Sequence, residues 1–321
     1  MAFESWKLVL LHWMDLSFQF TKEHFVWGYL VLDQLTLMLA SLSRLMSGYI
    51  SADGLEQCRR PVKPLELYEF QACPYCRRVR ETLHYLAIDY ICYPTPKESL
   101  KSQGVFINSR FRPAVKTLGG KCQFPFLVDK NVFDNAVEFD PKVSAIIKNN
   151  TRDGAVMLYE SGDINAYLWA VYGDKAVPSL RWRIIQSEWF DSVSRVITMI
   201  ARPCLDMGVF RAASRQPEKP LQFWGTEGSA PCARVLETLA TLELPYHCHP
   251  MPQGYAPVRK AFAKEHADKI SGWRKSVGFV KQPFLRDPNT GIDMFESRDI
   301  VQYLKKTYQT APVPGERWIT S

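Results

Sequence analysis

Lys63-Pro64-Leu65-Glu66-Leu67-Tyr68-Glu69-Phe70-Gln71-Ala72-Cys73-Pro74-Tyr75-Cys76-Arg77-Arg78-Val79-Arg80-Glu81-Thr82-Leu83 is the stretch on which the reading of this chain turns. Leu65 to Phe70 is a short apolar run entered through Pro64, which predicts a buried strand. The Cys73-Pro74-Tyr75-Cys76 motif turns the chain into a helix predicted over Arg77 to Leu86, with Val79, Leu83 and Leu86 at helical spacing. Working outward, a second strand is expected at Ile88 to Tyr93 and a proline-entered strand at Phe124-Pro125-Phe126-Leu127. A hairpin partner is expected around Val156 to Tyr159. A closing helix follows from Ser161 to Tyr172, with Ile164, Leu168 and Val171 on one face.

The pattern is written twice. Lys219-Pro220-Leu221-Gln222-Phe223-Trp224, then Ser229-Ala230-Pro231-Cys232-Ala233-Arg234-Val235-Leu236-Glu237-Thr238-Leu239, repeats the first stretch at an offset of 156 that sets Cys232 on Cys76. Gln123-Phe124-Pro125-Phe126-Leu127-Val128-Asp129 is echoed by Lys281-Gln282-Pro283-Phe284-Leu285-Arg286-Asp287. Tyr159-Glu160-Ser161-Gly162-Asp163-Ile164 is echoed by Phe295-Glu296-Ser297-Arg298-Asp299-Ile300. Pro125 to Glu160 spans 35 residues but Pro283 to Glu296 only 13, so the first copy carries about 22 extra residues near 130–153, read as a surface excursion. Each copy runs β-α-β, then β-β-α, which is a thioredoxin-like α/β order. The expected organisation is an apolar helical docking segment over 1–60, a first domain over 61–172, a helical linker over 173–217, a second domain over 218–309 and a tail over 310–321.

A C-x-x-C at a strand-to-helix turn places the first sulfur at a helix N-terminus, where the dipole and free N–H groups favour thiolate. Cys73 is therefore the expected nucleophile and Cys76 the resolving thiol. The prolines before the later strands offer X–Pro bonds that can be cis at low cost, exposing the backbone of Phe124 or Gln282 beside the thiol position. Glu160-Ser161 opens the last helix. Its N–H groups and hydroxyl suit a carboxylate, and Ser161 doubles as an N-cap. In the second copy Ser229 replaces the first cysteine, so that half reads as a binding site or a structural copy.

The eight cysteines contain one close pair, which argues against a disulfide framework and for a reducing compartment. Zinc is not expected, because none of the six histidines stands at ligand spacing from Cys73 and Cys76. Forty Lys plus Arg against 33 Asp plus Glu give a net charge of +7 without a basic run, so nucleic acid is set aside. In the apolar first fifty residues, Phe25 to Leu42 is nearly long enough to cross a bilayer, but Asp33 sits in its middle. An amphipathic helix lying on a membrane or in a partner's groove fits better, as does one packed on the protein's own domain. The linker holds an amphipathic stretch from Trp182 to Ile200. The two helical segments are expected to pack together, either docking the protein to a membrane or larger assembly or filling the groove between the domains.

Lys63-Pro64-Leu65-Glu66-Leu67-Tyr68, Cys73-Pro74-Tyr75-Cys76, Phe124-Pro125-Phe126 and Tyr159-Glu160-Ser161 resemble the N-terminal, glutathione-binding domain of glutathione S-transferases and the glutaredoxins. Two such units in one chain are similar to the tandem glutathione S-transferase N-terminal-domain proteins of plants and algae. The resemblance covers about residues 60–172 and 215–309. It implies the fold, glutathione as the cofactor and an organellar address in a mitochondrion or plastid; the apolar N-terminus adds the expectation of membrane association, and no metal is expected. By the resemblance Cys73, Pro125, Glu160 and Ser161 are site residues of the first unit, and Cys232, Pro283, Glu296 and Ser297 of the second; the reading of the residues adds Cys76, Tyr75 and Phe124 to the first and Ser229 and Gln282 to the degenerate second. Conjugation is not expected, because a transferase's all-helical domain would not fit in the 45 residues from Gly173 to Pro217 or the 13 from Gln309 to Ser321. Two functions are carried forward. One is a glutathione-linked thiol–disulfide oxidoreductase acting on glutathione or protein disulfides. The other is a non-catalytic accessory subunit of an organellar membrane complex, using its domains as interfaces.

Overall fold

Helix α1 (Val26–Ser43) precedes the first α/β unit, whose strands are β1 (Leu65–Glu69), β2 (Tyr90–Pro94), β3 (Phe126–Asp129), β4 (Thr151–Arg152) and β5 (Ala155–Tyr159). Its helices are α2 (Pro74–Tyr85), α3 (Arg112–Gly119), α4 (Pro141–Asn150) and α5 (Ser161–Tyr172). Two linker helices follow, α6 (Leu180–Gln186) and α7 (Glu188–Ala201). The second unit contains β6 (Leu221–Gly225), α8 (Ala230–Thr241), β7 (Tyr246–Pro250), α9 (Pro257–Glu265), β8 (Phe284–Asp287), β9 (Ile292–Phe295) and α10 (Ser297–Tyr308). The computed structural model describes residues 26–97, 109–131, 139–201, 211–254, 257–266 and 281–310. Residues 1–25 of the expected docking segment, 132–138 of the insert, 202–210 of the linker and 311–321 of the tail lie outside the described residues.

The local pattern explains the elements. Cys76, Val79 and Leu83 are fully buried on one face of α2, beneath strands whose Leu65, Leu67, Tyr90 and Cys92 are equally buried. Burial of each such aliphatic side chain contributes about 1.5–3 kcal/mol. The helix begins earlier than its periodicity indicates, at Pro74, because proline fits the first helical turn and Cys73 caps it. Matching elements of the two units are of equal length, as in β1 and β6, α2 and α8, β3 and β8, α5 and α10. Both units also use a left-handed residue after the first helix, Ala87 at φ 50° and Glu243 at φ 47°.

Within each unit β1 or β6 pairs parallel with β2 or β7 and antiparallel with β3 or β8. The units are not separate beads. β2 pairs antiparallel with β7, Tyr90 opposite Cys248 and Cys92 opposite Tyr246, joining nine strands in the order β4-β5-β3-β1-β2-β7-β6-β8-β9. One hydrophobic core therefore runs through both halves, from Leu158 to Leu285.

Two expectations about connecting segments need correction. The insert is not a bare excursion: Asp140 accepts from the Lys142 N–H at 2.9 Å, Pro141 starts α4, and Val143 is buried. An Asp-Pro start signal and an apolar side chain reaching the core outweigh the polar composition. The linker stretch is two helices broken at Ser187, whose extended backbone ends α6 and whose Oγ accepts from the Phe190 N–H at 3.4 Å. No described helix is long and apolar enough to cross a membrane. Asp33, placed mid-helix, is buried and ion-paired with Arg234 of α8 at 2.6 Å. As expected, α1 packs on α7, with Ser43 Oγ and Thr198 Oγ1 3.2 Å apart.

Polar side chains lock both units in the same way. Asp129 at the end of β3 accepts from the hydroxyls of Tyr167 at 2.7 Å and Tyr172 at 2.6 Å, and Asn131 ties it to the Lys63 carbonyl. Asp287, Tyr303, Tyr308, Asn289 and Lys219 repeat this arrangement in the second unit.

Arg80 of α2 is 1 % exposed, pairs with Glu69 of β1, and reaches across to Glu227 of the second unit at 3.0 Å. Removing one member of such a cluster leaves an uncompensated buried charge. Arg80→Ala is expected to lower stability by about 3–5 kcal/mol, read as a shift in the urea midpoint at unchanged slope.

Candidate functional site

Register brings the site together at one end of the sheet. Tyr68 pairs with Phe126 and Phe126 with Tyr159, so the residues just beyond them, Glu69-Phe70, Phe124-Pro125 and Glu160, share that end. The turn after Phe70 leads into Cys73, whose N–H bonds the Phe70 carbonyl at 3.0 Å. The rings of Phe70 and Phe124 meet edge to face at 6.2 Å, and the Arg112 guanidinium lies over Phe124 at 4.9 Å. Arg112 is buried and held by the Thr95 carbonyl at 2.8 Å. The Phe124–Pro125 and Gln282–Pro283 bonds are both cis.

Cys73 is the N-cap of α2, and its sulfur accepts from the Cys76 N–H at 3.5 Å. The Cys76 thiol and the N–H groups of Cys76 and Tyr75 hold the Cys73 pKa below the ordinary thiol value, against burial, which pushes it up. Cys76 is fully buried, and burial together with its hydrogen bond to Cys73 raises its pKa well above the thiol range. Neither is in a disulfide. Tyr75, between them, is exposed.

Cys73 is only 6 % exposed. It lines a cavity of about 110 Å³ together with Arg77, Arg80, Leu37 and Arg44 of the α1 end, and Glu227 of the second unit. Arg44 is itself buried, donates to both carboxylate oxygens of Glu81, and reaches Asp191 at 3.2 Å and Ser194 at 2.9 Å. The Met46-Ser47 turn passes so close to Gly228 that a Cβ there would stand 2.6 Å from both carbonyl oxygens. The thiol is thus covered by α1 and by the second unit, and no sequence motif announced either.

Glu160 and Ser161 sit at the head of α5, with a correction. Glu160, at φ 64°, is the N-cap residue and Ser161 is the first helical residue, buried and making no capping bond, because the positive φ ends the strand one residue earlier than a Ser cap requires. Glu160 accepts from Gln123. It lines a second cavity, of about 290 Å³, with Lys121, Arg152 and Tyr159, which Cys73 does not reach. The structure therefore joins Cys73 to Cys76 and sets Phe124-Pro125 at the same end of the sheet through the Phe70–Phe124 ring contact, while Glu160 faces another hollow.

In the second unit Ser229 occupies the N-cap of α8, and Cys232 is fully buried with its pKa pushed up to about 11 by burial. Gln282 is engaged by the Thr226 hydroxyl at 2.6 Å, Glu296 at φ 70° pairs with Lys281 at 2.6 Å, and Ser297 is buried.

A strand, a helix headed by Cys73 in the first unit and by Ser229 in the second, a cis proline and a left-handed acidic residue heading the last helix define the thioredoxin-like class, here present twice. Residues 67–176 and 223–312 both match the family model of the glutathione S-transferase N-terminal domain, and the chain belongs to that family. No curated protein and no solved structure matches the chain.

Thiolate absorbance followed against pH is expected to show one group ionising below the ordinary thiol range in the wild type. Cys73→Ser should remove it while leaving the later ionisations in place. An early ionisation that persists in Cys73→Ser would assign it elsewhere.

Proposed function

We propose that this protein carries out glutathione-linked thiol–disulfide exchange at Cys73. The reading rests above all on the acid-shifted Cys73 sulfur capping α2, with the cis Phe124–Pro125 bond at the same end of the sheet. The Cys73 thiolate attacks a disulfide between glutathione and a second thiol. The S–S bond breaks, the second thiol leaves as thiolate and is protonated by solvent, and glutathione stays on Cys73 as a mixed disulfide. A further glutathione thiolate then attacks the bound glutathione's sulfur, giving glutathione disulfide and restoring Cys73. That glutathione supplies the electrons. Burial holds Cys76 protonated, so resolution by a second glutathione is favoured over attack by Cys76. The covered cavity beside Cys73 is well below the roughly 300 Å³ at which ligand pockets start. The exchange therefore calls for α1 to give way, and small disulfides are favoured over folded protein ones.

Reduction of a glutathionylated small-molecule disulfide by glutathione tests the reading. Cys73→Ser should fall to the uncatalysed rate, while Cys76→Ser and Cys232→Ser should retain most of the activity. Full activity in Cys73→Ser would overturn it.

One observation favours a second reading, an interface role. α1 and α7 lie side by side and both present apolar residues outward. Leu35 is 58 % and Trp189 72 % exposed, with Val31, Met38, Leu39 and Leu42 on α1 and Val193 and Val196 on α7. Such contiguous apolar faces mark binding surfaces. In this reading the helix pair docks an apolar partner surface. The Leu35→Ser, Trp189→Ser double variant should then lose most of its association at unchanged fold, read as a drop in sedimentation coefficient of the native particle.

A further inference from the structure

The seam between the units carries a cluster that thiol chemistry does not use. Ile91 of β2 stands opposite His247 of β7. Strand alternation therefore puts Asp89, just before β2, on the same face as His247 and His249. Tyr90, Tyr246 and Cys248 point the other way, into the core. Asp89 Oδ2 is 2.7 Å from His249 Nδ1 and 3.8 Å from His247 Nε2, and the three ligand atoms lie within 4.8 Å of one another. The two imidazole rings are 4.1 Å apart between centroids.

Hydrogen bonding here is incomplete in a specific way. Gln222 of β6 donates from Nε2 to the Pro220 carbonyl at 3.4 Å, which turns its Oε1 toward His249 Nε2 at 2.8 Å. That contact requires the ring proton on Nε2. A neutral imidazole carries one N–H, so Nδ1 then points a lone pair at the Asp89 carboxylate. Two acceptors 2.7 Å apart need a positive centre between them, either a second ring proton or a cation. Beside them, His247 Nε2 is buried without a hydrogen-bond partner.

We propose that Asp89, His247 and His249 bind a divalent transition-metal cation of the Zn²⁺ class, with Gln222 orienting His249. Two imidazoles and a carboxylate are borderline donors suited to zinc, and three protein ligands leave a fourth position for water. Tetrahedral zinc with bonds of about 2.0–2.1 Å holds its ligands roughly 3.3 Å apart, so small side-chain shifts suffice. The Gln222 contact is the outer partner that sets the ligating tautomer. Asp89 comes from the first unit and both histidines from the second, so the cation would pin β2 to β7. The absence of a histidine near the C-x-x-C had argued against zinc. Spacing from one motif says nothing of ligands brought together from two units.

The full-length protein, stripped with chelator and kept reduced, is titrated with Co²⁺ at neutral pH. About one Co²⁺ per chain is expected, with visible d–d bands and no thiolate charge-transfer band. Zn²⁺ should displace it and raise the Tm. His247→Ala and the isosteric Asp89→Asn should each weaken Co²⁺ binding at least about tenfold, and Gln222→Ala about tenfold. Cys73→Ser should bind as the wild type. A wild type that takes up no Co²⁺ would overturn the proposal. So would a thiolate charge-transfer band, or Asp89→Asn binding as tightly as the wild type.

Discussion

Arg80 is the side chain on which the arrangement of the two units depends. Its guanidinium is buried between Glu69 of the first unit and Glu227 of the second, and it also donates to the Gln71 carbonyl at 3.2 Å. Desolvating three charged groups consumes most of what their attraction returns, so the cluster adds little net stability. Its effect is selective: any other placement of the second unit strands a buried charge. Arg44, with Glu81 and Asp191, does the same for the helices that cover the site.

The two copies have diverged where they meet. At the repeat offset, Arg80 corresponds to buried Leu236, Glu69 to Gly225, and Gln71 to Glu227. One copy supplies the cation and the other a carboxylate, so the pseudo-symmetric seam is chemically asymmetric. The thiol site follows the same division. Cys73 is held acidic at its helix N-terminus, whereas Ser229 carries no sulfur and Cys232 is kept neutral by burial. The second unit contributes Glu227 and Gly228 to the wall of the cavity beside Cys73.

That wall and helix α1 enclose Cys73, which is 6 % exposed. The strand-to-helix turn sets Cys73 at the N-cap of α2. Here the same turn opens into a small, charged cavity, and the outward face of the covering helices is apolar. Helix α1 contributes to both, lining the cavity through Leu37 and Ala40 and exposing Leu35, Met38 and Leu39 on its outer side.

Local chemistry was legible in the order of residues. The strands, the cysteine-headed helix, the prolines and the Glu-Ser landmarks follow from short-range pattern, and their recurrence at one offset exposes the duplication. Helix starts were less legible, since Pro74 and Asp140-Pro141 begin helices that apolar periodicity alone places later or not at all. The continuous sheet, the Arg80 cluster, the cover over Cys73 and the meeting of Asp89 with His247 and His249 could not be read from the chain. Each joins residues far apart in sequence, between 11 and 160 positions, through a strand register or a buried charge that only packing sets. Residue type dictates what a side chain can do within a turn of its neighbours, while long-range pairing is settled by which surfaces bury best together.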